Sequence, residues 1–485
     1  MLEKALQLYK EHLPEGYLEN FRIDSIDHLG VPIYDTTLYT DQGKDMFNGV
    51  GYGKTPVEAE IGAFGELYEG YYNTKNVKNL SKKEASYREM ITEFGEKNII
   101  DPLTLVLSAG STYSPELPLQ WTQIQHWTTK KSVWVPVEFI SNRNGDTYYD
   151  NQLIRSITNG CGAGDTWERA VLHGVLELLQ RDGNADSFRA LDKGKVIELD
   201  QVDEEVKELL QDLRSKGLEV IPKLARITAG CISVYAVGLD SSQEDFSLSA
   251  AACGEAADPS YNVALRKAIL ECASSHTRKL FAHSPYQRKK QIVPEGYWER
   301  NVEAINLDSE ENRALKAMTN WISSDKKYIE ELLQDTVYSQ KETVKASSLP
   351  DFKFDNLKDK LEYVISKLKE EDLEVYYLPC TSEDAPIKVA KVVIPGIEME
   401  LGSYHRIGYR GIKRLLEENS ELISNTPGEG KLQILVSQEQ QIALGQPYFL
   451  EVNKLDEIID PLYPLYREPT ANAAPLALET NYFDN

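Results

Sequence analysis

One arrangement recurs three times in this chain and constrains its fold more than any other: a small residue seven, and again three, positions before a glutamate. Ala59, Ala63 and Glu66 form the first set, Ala170, Gly174 and Glu177 the second, and Ala264, Ala268 and Glu271 the third. Steps of three and four residues trace one stripe of an α-helix. The small residues let other backbone approach that stripe, and the glutamate projects from it. Three helices are therefore predicted to aim a carboxylate in comparable ways. Glu69, three residues after Glu66, adds a second charge to the same face of the first helix. Buried like charges repel, so such a face needs a cation, a proton or an arginine. Magnesium suits it, because that ion takes oxygen ligands and completes its shell with water and substrate phosphates. Each helix also has a plainer reading: solvated surface residues for Glu66 and Glu69, an i,i+4 salt bridge for Glu177 and Arg181, and core packing for the third helix.

The 485 residues suffice for one large core or two ordinary ones. A hydrophobic fraction of 41% and 27 tyrosines argue for a compact body. Lys and Arg number 53 against 77 Asp and Glu, a net charge of -24, and that field repels phosphate backbones and anionic lipid. Neither nucleic acid nor a membrane surface is an expected partner, and an anionic nucleotide would need a local positive site or bridging metal ions. Residues 1–16 read as an amphipathic helix rather than a signal peptide, and no run of 18 apolar residues follows. A cytoplasmic location is expected. The five cysteines form no C-x-x-C pair, so they read as small buried hydrophobes rather than a zinc site or disulfide framework.

A second recurrence is a helix, strand, strand unit: 206–213, 218–220 and 232–237, matched by 361–368, 373–375 and 387–392. The strands begin fourteen residues apart in both copies, 218 to 232 and 373 to 387. Residues of about 307–349 read as a charged helical insertion with a mobile exit, and 425–430 as a turn-rich loop. The chain divides into a main body, 1–430, and a C-terminal extension, 431–485, whose last residues from Pro469 onward are expected to run extended. Helices and strands alternate enough for an α+β (mixed α/β) architecture.

Four segments carry chemistry-bearing residues. Thr55-Pro56 is a helix start below Glu66 and Glu69. The glycine-rich run 158–166 includes Asn159, Gly164 and Asp165 and opens the helix of Glu177, Gln180, Arg181 and Asp182; its free N–H groups would suit a phosphate, though it is no P-loop. Asp165 or Thr166 would cap that helix. Asp258-Pro259 precedes a third helix with Arg266, Glu271 and Arg278. Last, Pro395-Gly396 ends a β-run and leads to Glu398, Arg406, Gly408 and Arg410, where the arginines could meet phosphate or pair with nearby acids.

In this order the segments resemble the YcaO family, from about Asp24 to Gly411. The matching features are Gly51-Tyr52-Gly53, Glu66 to Glu69, Asn159-Gly160 with Gly162-Ala163-Gly164, Glu177 to Asp182, Pro395 to Glu398, and Arg406-x-Gly408-x-Arg410. The resemblance implies a YcaO-like fold and an ATP site where Glu66, Glu69, Glu177 and Glu271 hold Mg2+. Asn159, Gly164, Asp165, Arg181 and Arg278 would contact the nucleotide, and no single catalytic side chain is assigned. It implies phosphorylation of a peptide amide oxygen after a nucleophile adds to the carbonyl. Cys, Ser or Thr of a ribosomally made precursor peptide would give an azoline; sulfide would give a thioamide. Implied partners are that peptide, an E1-like or leader-binding protein, and in some systems a flavin dehydrogenase, with a homodimer left open. Tyr52 stands for the family's usual Lys, Gly70 for Arg, Gln180 for the second Glu and Ser274 for Gln, and a Pro-x-Pro-x-Pro end is missing. These departures keep a catalytically degenerate scaffold subunit as an alternative.

Overall fold

The computed structural model describes every residue except 1, 144, 148, 150, 151, 186–192, 243, 400–403, 484 and 485. Its helices and four sheets form the mixed α+β architecture expected. The first sheet is an antiparallel meander of Tyr17–Arg22, Ile33–Thr40 and Asp45–Tyr52. A five-stranded sheet runs Cys253–Asp258, Cys231–Asp240, Leu218–Thr228, Lys195–Glu198, Glu342–Lys345. A six-stranded sheet runs Lys83–Ser86, Pro118–His126, Tyr376–Pro379, Lys388–Val393, Cys161–Gly164, with Ser132–Pro136 also paired to Pro118–His126. A small sheet of Ile423–Ser424, Phe449–Glu451 and Lys431–Gln433 completes the set.

The three cassettes explain how these sheets meet. Asp45–Tyr52, Cys161–Gly164 and Cys253–Asp258 are each the terminal strand of a different sheet. Each is followed by a cassette helix: Pro56–Asn79, Trp167–Asn184 and Tyr261–His283. Thr55, Thr166 and Ser260 cap these helices with their hydroxyls, satisfying an N–H that would otherwise lack a partner. Each cap stands eleven positions before the cassette glutamate (55 to 66, 166 to 177, 260 to 271). The third helix thus starts after Ser260, and Pro259 lies just outside it.

Strand and helix backbones touch where both sequences are small. A Cβ on Gly51 would lie 2.0 Å from the Ala59 carbonyl oxygen, one on Gly162 2.0 Å from that of Ala170, and one on Gly254 2.3 Å from that of Ala268. The glycines of 160–164 therefore serve close packing. Residues 161–164 pair antiparallel with Lys388–Lys391, so their backbone is engaged in a sheet rather than arranged as an open phosphate loop. Gly160 adds a φ of +86° that L side chains rarely adopt.

Both helix, strand, strand units form, as Glu204–Ser215 with its hairpin and Leu357–Glu370 with its own. In the second unit the first strand is Tyr376–Pro379, three residues later than the apolar run at 373–375 predicts. The 307–349 region holds helices Asn312–Ile322 and Lys326–Leu333, and its end adds a parallel edge strand beside Lys195–Glu198. The tail is not wholly extended: Ala473–Glu479 is helical and buries Ala473, Ala474 and Ala477. Among the described residues no helix is long and apolar enough to cross a membrane.

A buried ionic network ties the third cassette helix to its surroundings. His276 is fully buried between Asp27 (3.1 Å) and Asp240 (3.3 Å), and Lys326 also reaches Asp240 at 3.3 Å. Its two carboxylate hydrogen bonds outweigh burial, the largest single influence, and raise the imidazole above its ordinary value of 6.5.

Two stability predictions follow from these contacts. Gly51→Ala should cost about 1–3 kcal/mol by forcing backbones apart. Gly65→Ala, in an open helical position whose Cβ would meet only Tyr9 Oη at 4.0 Å, should stabilise by about 0.5–1 kcal/mol; urea titration of both variants checks the contrast. His276→Gln removes the cation shared by two buried carboxylates, leaving Asp240 its ion pair with Lys326 and Asp27 only its hydrogen bonds from Thr277 and Leu29 N–H, and should cost about 3–5 kcal/mol. That contribution should be full below pH 6.5 and fade as pH rises through the elevated folded value, measured as the wild-type minus variant difference across pH.

Candidate active site

Each cassette glutamate is pinned by its own strand. Val50 N–H donates to Glu66 Oε2 (2.9 Å), Gly160 N–H to Glu177 Oε2 (2.8 Å), and Glu255 N–H to Glu271 Oε2 (2.9 Å). Terminal strands carry outward N–H groups that need acceptors, and the glutamates supply them. One oxygen of each carboxylate is thereby fixed to the fold. The other oxygens of Glu66 and Glu271 make no hydrogen bond among the described residues, and Glu177 Oε1 lies 3.7 Å from Arg181 Nη2.

The glutamates share one cleft. Glu66 is exposed while Glu69, Glu177 and Glu271 are half-buried, and the four lie near enough that Glu66 feels Glu177 and Glu271 and Glu69 feels Glu177 and Glu66. Desolvation, followed by the charges of Glu177 and Glu66, raises Glu69 well above the carboxylate range; Ala163 N–H opposes this. Desolvation, then Glu255, pushes Glu271 up to about 7. Glu66 is raised by desolvation against the pull of Arg278. Without a cation the cleft holds on to protons, which is the electrostatic sign of a site built for added positive charge.

Cations line the same cleft. Arg181 pairs with Glu255 from the neighbouring sheet (2.9 Å) more closely than with Glu177. Gln180 also donates to Glu255, at 3.3 Å, so the Gln for Glu exchange feeds a hydrogen-bond network. Arg278 is exposed, feels Glu66 and Glu271, and makes no hydrogen bond or ion pair among the described residues. Tyr52, where a lysine was expected, stays neutral among Glu271, Glu66, Arg278 and Arg181, chiefly because of desolvation. His173 and Lys267 were missed by sequence reasoning. They occupy matching positions four before Glu177 and Glu271, each lowered by desolvation and each sensing its own glutamate. The repeat itself was the available signal, since four before a cassette glutamate is one helical turn along the same stripe.

Other predicted residues have fixed duties. Asn159 is buried with its Nδ2 unpartnered. Gly164 packs on the Arg169 side chain, and exposed Asp165 pairs with Arg169 at 2.7 Å. Arg406 is buried and donates to the Val106 and Leu105 carbonyls. Arg410 pairs with Glu371 (3.0 Å) and Asp182 (3.4 Å). Glu398, fully buried, accepts from Gly408 and Gly411 N–H, so the segment after Pro395-Gly396 is a clamp on the start of the helix Tyr409–Glu417. The pairing alternative holds for Arg410, while Arg406 braces backbone.

Among the described residues no three His, Cys, Asp or Glu groups enclose a single point as a closed metal cage would. The glutamates are instead spaced along a cleft, an arrangement that fits magnesium completed by waters and phosphate oxygens. A nucleotide fits as well: Asn159 Nδ2 and Arg181 Nε are buried donors without partners, and Arg278 is uncommitted.

Comparison with known proteins agrees with this geometry. Residues 50–398 match the model of the family described as YcaO cyclodehydratase, ATP- and Mg2+-binding. An uncharacterized protein of Methanothermobacter thermautotrophicus is 24% identical over 395 residues, 80% of this chain and 91% of the relative. In fold, the chain resembles YcaO from Methanopyrus kandleri bound with AMPPCP and Mg2+ (TM-score 0.59, 19% identity, 84% of this chain and 94% of that one). It also resembles a heterocyclase in complex with substrate and cofactor (TM-score 0.59, 18% identity), covering 83% of this chain and 53% of that longer one. With well over half its length matched, and with the helix glutamates gathered in one cleft, the chain belongs to the YcaO family of ATP- and Mg2+-binding proteins.

Proposed function

We propose that this protein activates backbone amides of a peptide at the expense of ATP, and that its reaction is cyclodehydration of Cys, Ser or Thr in a ribosomally made precursor. The observation that carries the reading is the set of three backbone-pinned glutamates gathered beside Arg181 and the uncommitted Arg278. In this reading Glu66, Glu69, Glu177 and Glu271 hold magnesium through their free oxygens. Arg181 and Arg278 face the phosphates, and Asn159 gives its free amide to the nucleotide. Mg-ATP supplies an electrophilic phosphoryl group that turns the amide oxygen into a leaving group. The protein's own part is positioning and charge: fixed carboxylates set the metal, and arginines offset charge on the transferring group.

Gln180 does not argue for a scaffold role, because its amide is engaged with Glu255 while the four cleft glutamates remain. A separate E1-like or leader-binding protein delivers the precursor in this reading, a flavin dehydrogenase would oxidise azolines to azoles, and self-association is left to measurement. The mass of the product separates the chemistries. Loss of about 18 Da per ring from peptide, dependent on ATP, supports cyclodehydration; sulfide-dependent gain of about 16 Da assigns thioamide formation; no ATP-dependent change with partner present contradicts both.

The metal assignment predicts a separate outcome for Glu66→Gln. The amide oxygen still accepts from Val50 N–H, so the fold should melt no lower than wild type, and with one repelling charge gone it should melt slightly higher. Mg-ATP affinity by calorimetry should fall at least the roughly 10-fold that even a change around a metal's outer partners causes.

A further inference from the structure

Of the carboxylates near the site that belong to none of the cassettes, Asp35 is the one without an ion pair and with a free oxygen among the described residues. Asp35 lies on Ile33–Thr40, directly opposite Val50, whose N–H holds Glu66. Its Oδ1 accepts from Asn48 Nδ2 (2.9 Å) and Thr37 Oγ1 (3.4 Å). Its Oδ2 has no hydrogen bond among the described residues, and Asp35 forms no ion pair there. The side chain is half-buried, so the free oxygen stays open to an incoming group. Arg278 acts electrostatically on both Asp35 and Glu66, so Asp35 and the proposed metal ligand share the influence of the uncommitted arginine.

The neighbouring carboxylates are occupied. Glu255 is paired with Arg181. Glu468 contacts His283 at 3.3 Å and is held down to about 2, a poor proton acceptor. Glu19 is taken up by Arg300, Tyr39 and Asn301.

Resting on the amide-activation reading, we propose that Asp35 is the general base that takes the proton from the attacking thiol or hydroxyl of the substrate. The S–H or O–H proton passes to Asp35 Oδ2 as sulfur or oxygen bonds to the amide carbon. The carbonyl π pair moves onto oxygen, and that oxygen then takes the terminal phosphoryl group of ATP, releasing ADP. One oxygen is anchored and the other free, the arrangement a positioned base needs. Desolvation, opposed by Asn48, Arg278 and Thr37, pushes the carboxyl up to about 6, so it is ionised yet basic at neutral pH. The titratable groups facing it are Glu19 on the adjoining strand, Arg278 on the third cassette helix and Tyr297 on the helix Tyr297–Asn301.

The test compares wild type, Asp35→Asn and Asp35→Glu on a pool of synthetic twelve-residue peptides with a central Gly-Cys, Gly-Ser or Gly-Thr, following ADP release and peptide mass. Asp35→Asn should lower peptide modification by roughly 100-fold or more while binding Mg-ATP within about twofold of wild type. Wild-type kcat/KM should rise with pH through about 6, and this acid limb should vanish in Asp35→Asn. Asp35→Glu should recover part of the rate. Modification within about threefold of wild type in Asp35→Asn, an unchanged acid limb, or a parallel loss of Mg-ATP binding would each overturn the role. If wild type binds Mg-ATP but modifies no peptide even with the leader-binding partner and its precursor supplied, the amide-activation reading falls, and the role of Asp35 with it.

Discussion

The structure turns on a hydrogen bond made three times: an end-strand backbone N–H donating to a glutamate on the helix that follows. Each bond closes an exposed strand edge and fixes one carboxylate oxygen. The approach is close only because glycine meets alanine or glycine across the strand and helix, with room for no side chain at Gly51, Gly162 or Gly254. Three sheets end at one cleft for this reason, and the same bonds that finish the sheets aim the site's negative charge.

That charge has consequences for what the cleft can hold. Carboxylates gathered within a protein of net charge -24 resist ionisation, as the upward shifts of Glu66, Glu69 and Glu271 show. A phosphate alone would be repelled. A phosphate arriving with divalent cations would, in the proposed reading, neutralise the glutamates and meet Arg278, which has no competing partner among the described residues. In that reading metal and nucleotide would be mutually dependent ligands, each weak in this field without the other.

The cassettes were legible in the sequence because helix periodicity converts spacing directly into a shared face. Their meaning was half seen: the small residues announce close packing, but which backbone packs there is a long-range fact, and so are the strand N–H partners of Glu66, Glu177 and Glu271. The glycine-rich run at 160–164 misled for the same reason. Glycine serves an open anion loop and a tight strand equally, and the pairing partner Lys388–Lys391 lies more than two hundred residues away. For Arg406 and Arg410 both an anion contact and pairing with nearby acids stood open; Arg410 pairs with Glu371 and Asp182 while Arg406 braces backbone, because sequence cannot say which acid or carbonyl an arginine will reach. Gln180 and Arg181 converge on Glu255 from another sheet, a contact no local pattern contains. Asp35 carried no signal at all, because a single aspartate in a strand is distinguished only by what surrounds it.

The most direct test of the central claim is a crystal structure of the protein with Mn2+ and a non-hydrolysable ATP analogue, with manganese located by anomalous scattering. The account predicts manganese peaks against the free oxygens of the cassette glutamates, with the phosphates between them and Arg181 and Arg278. Nucleotide bound elsewhere, or bound in this cleft with no metal touching Glu66, Glu69, Glu177 or Glu271, would contradict it.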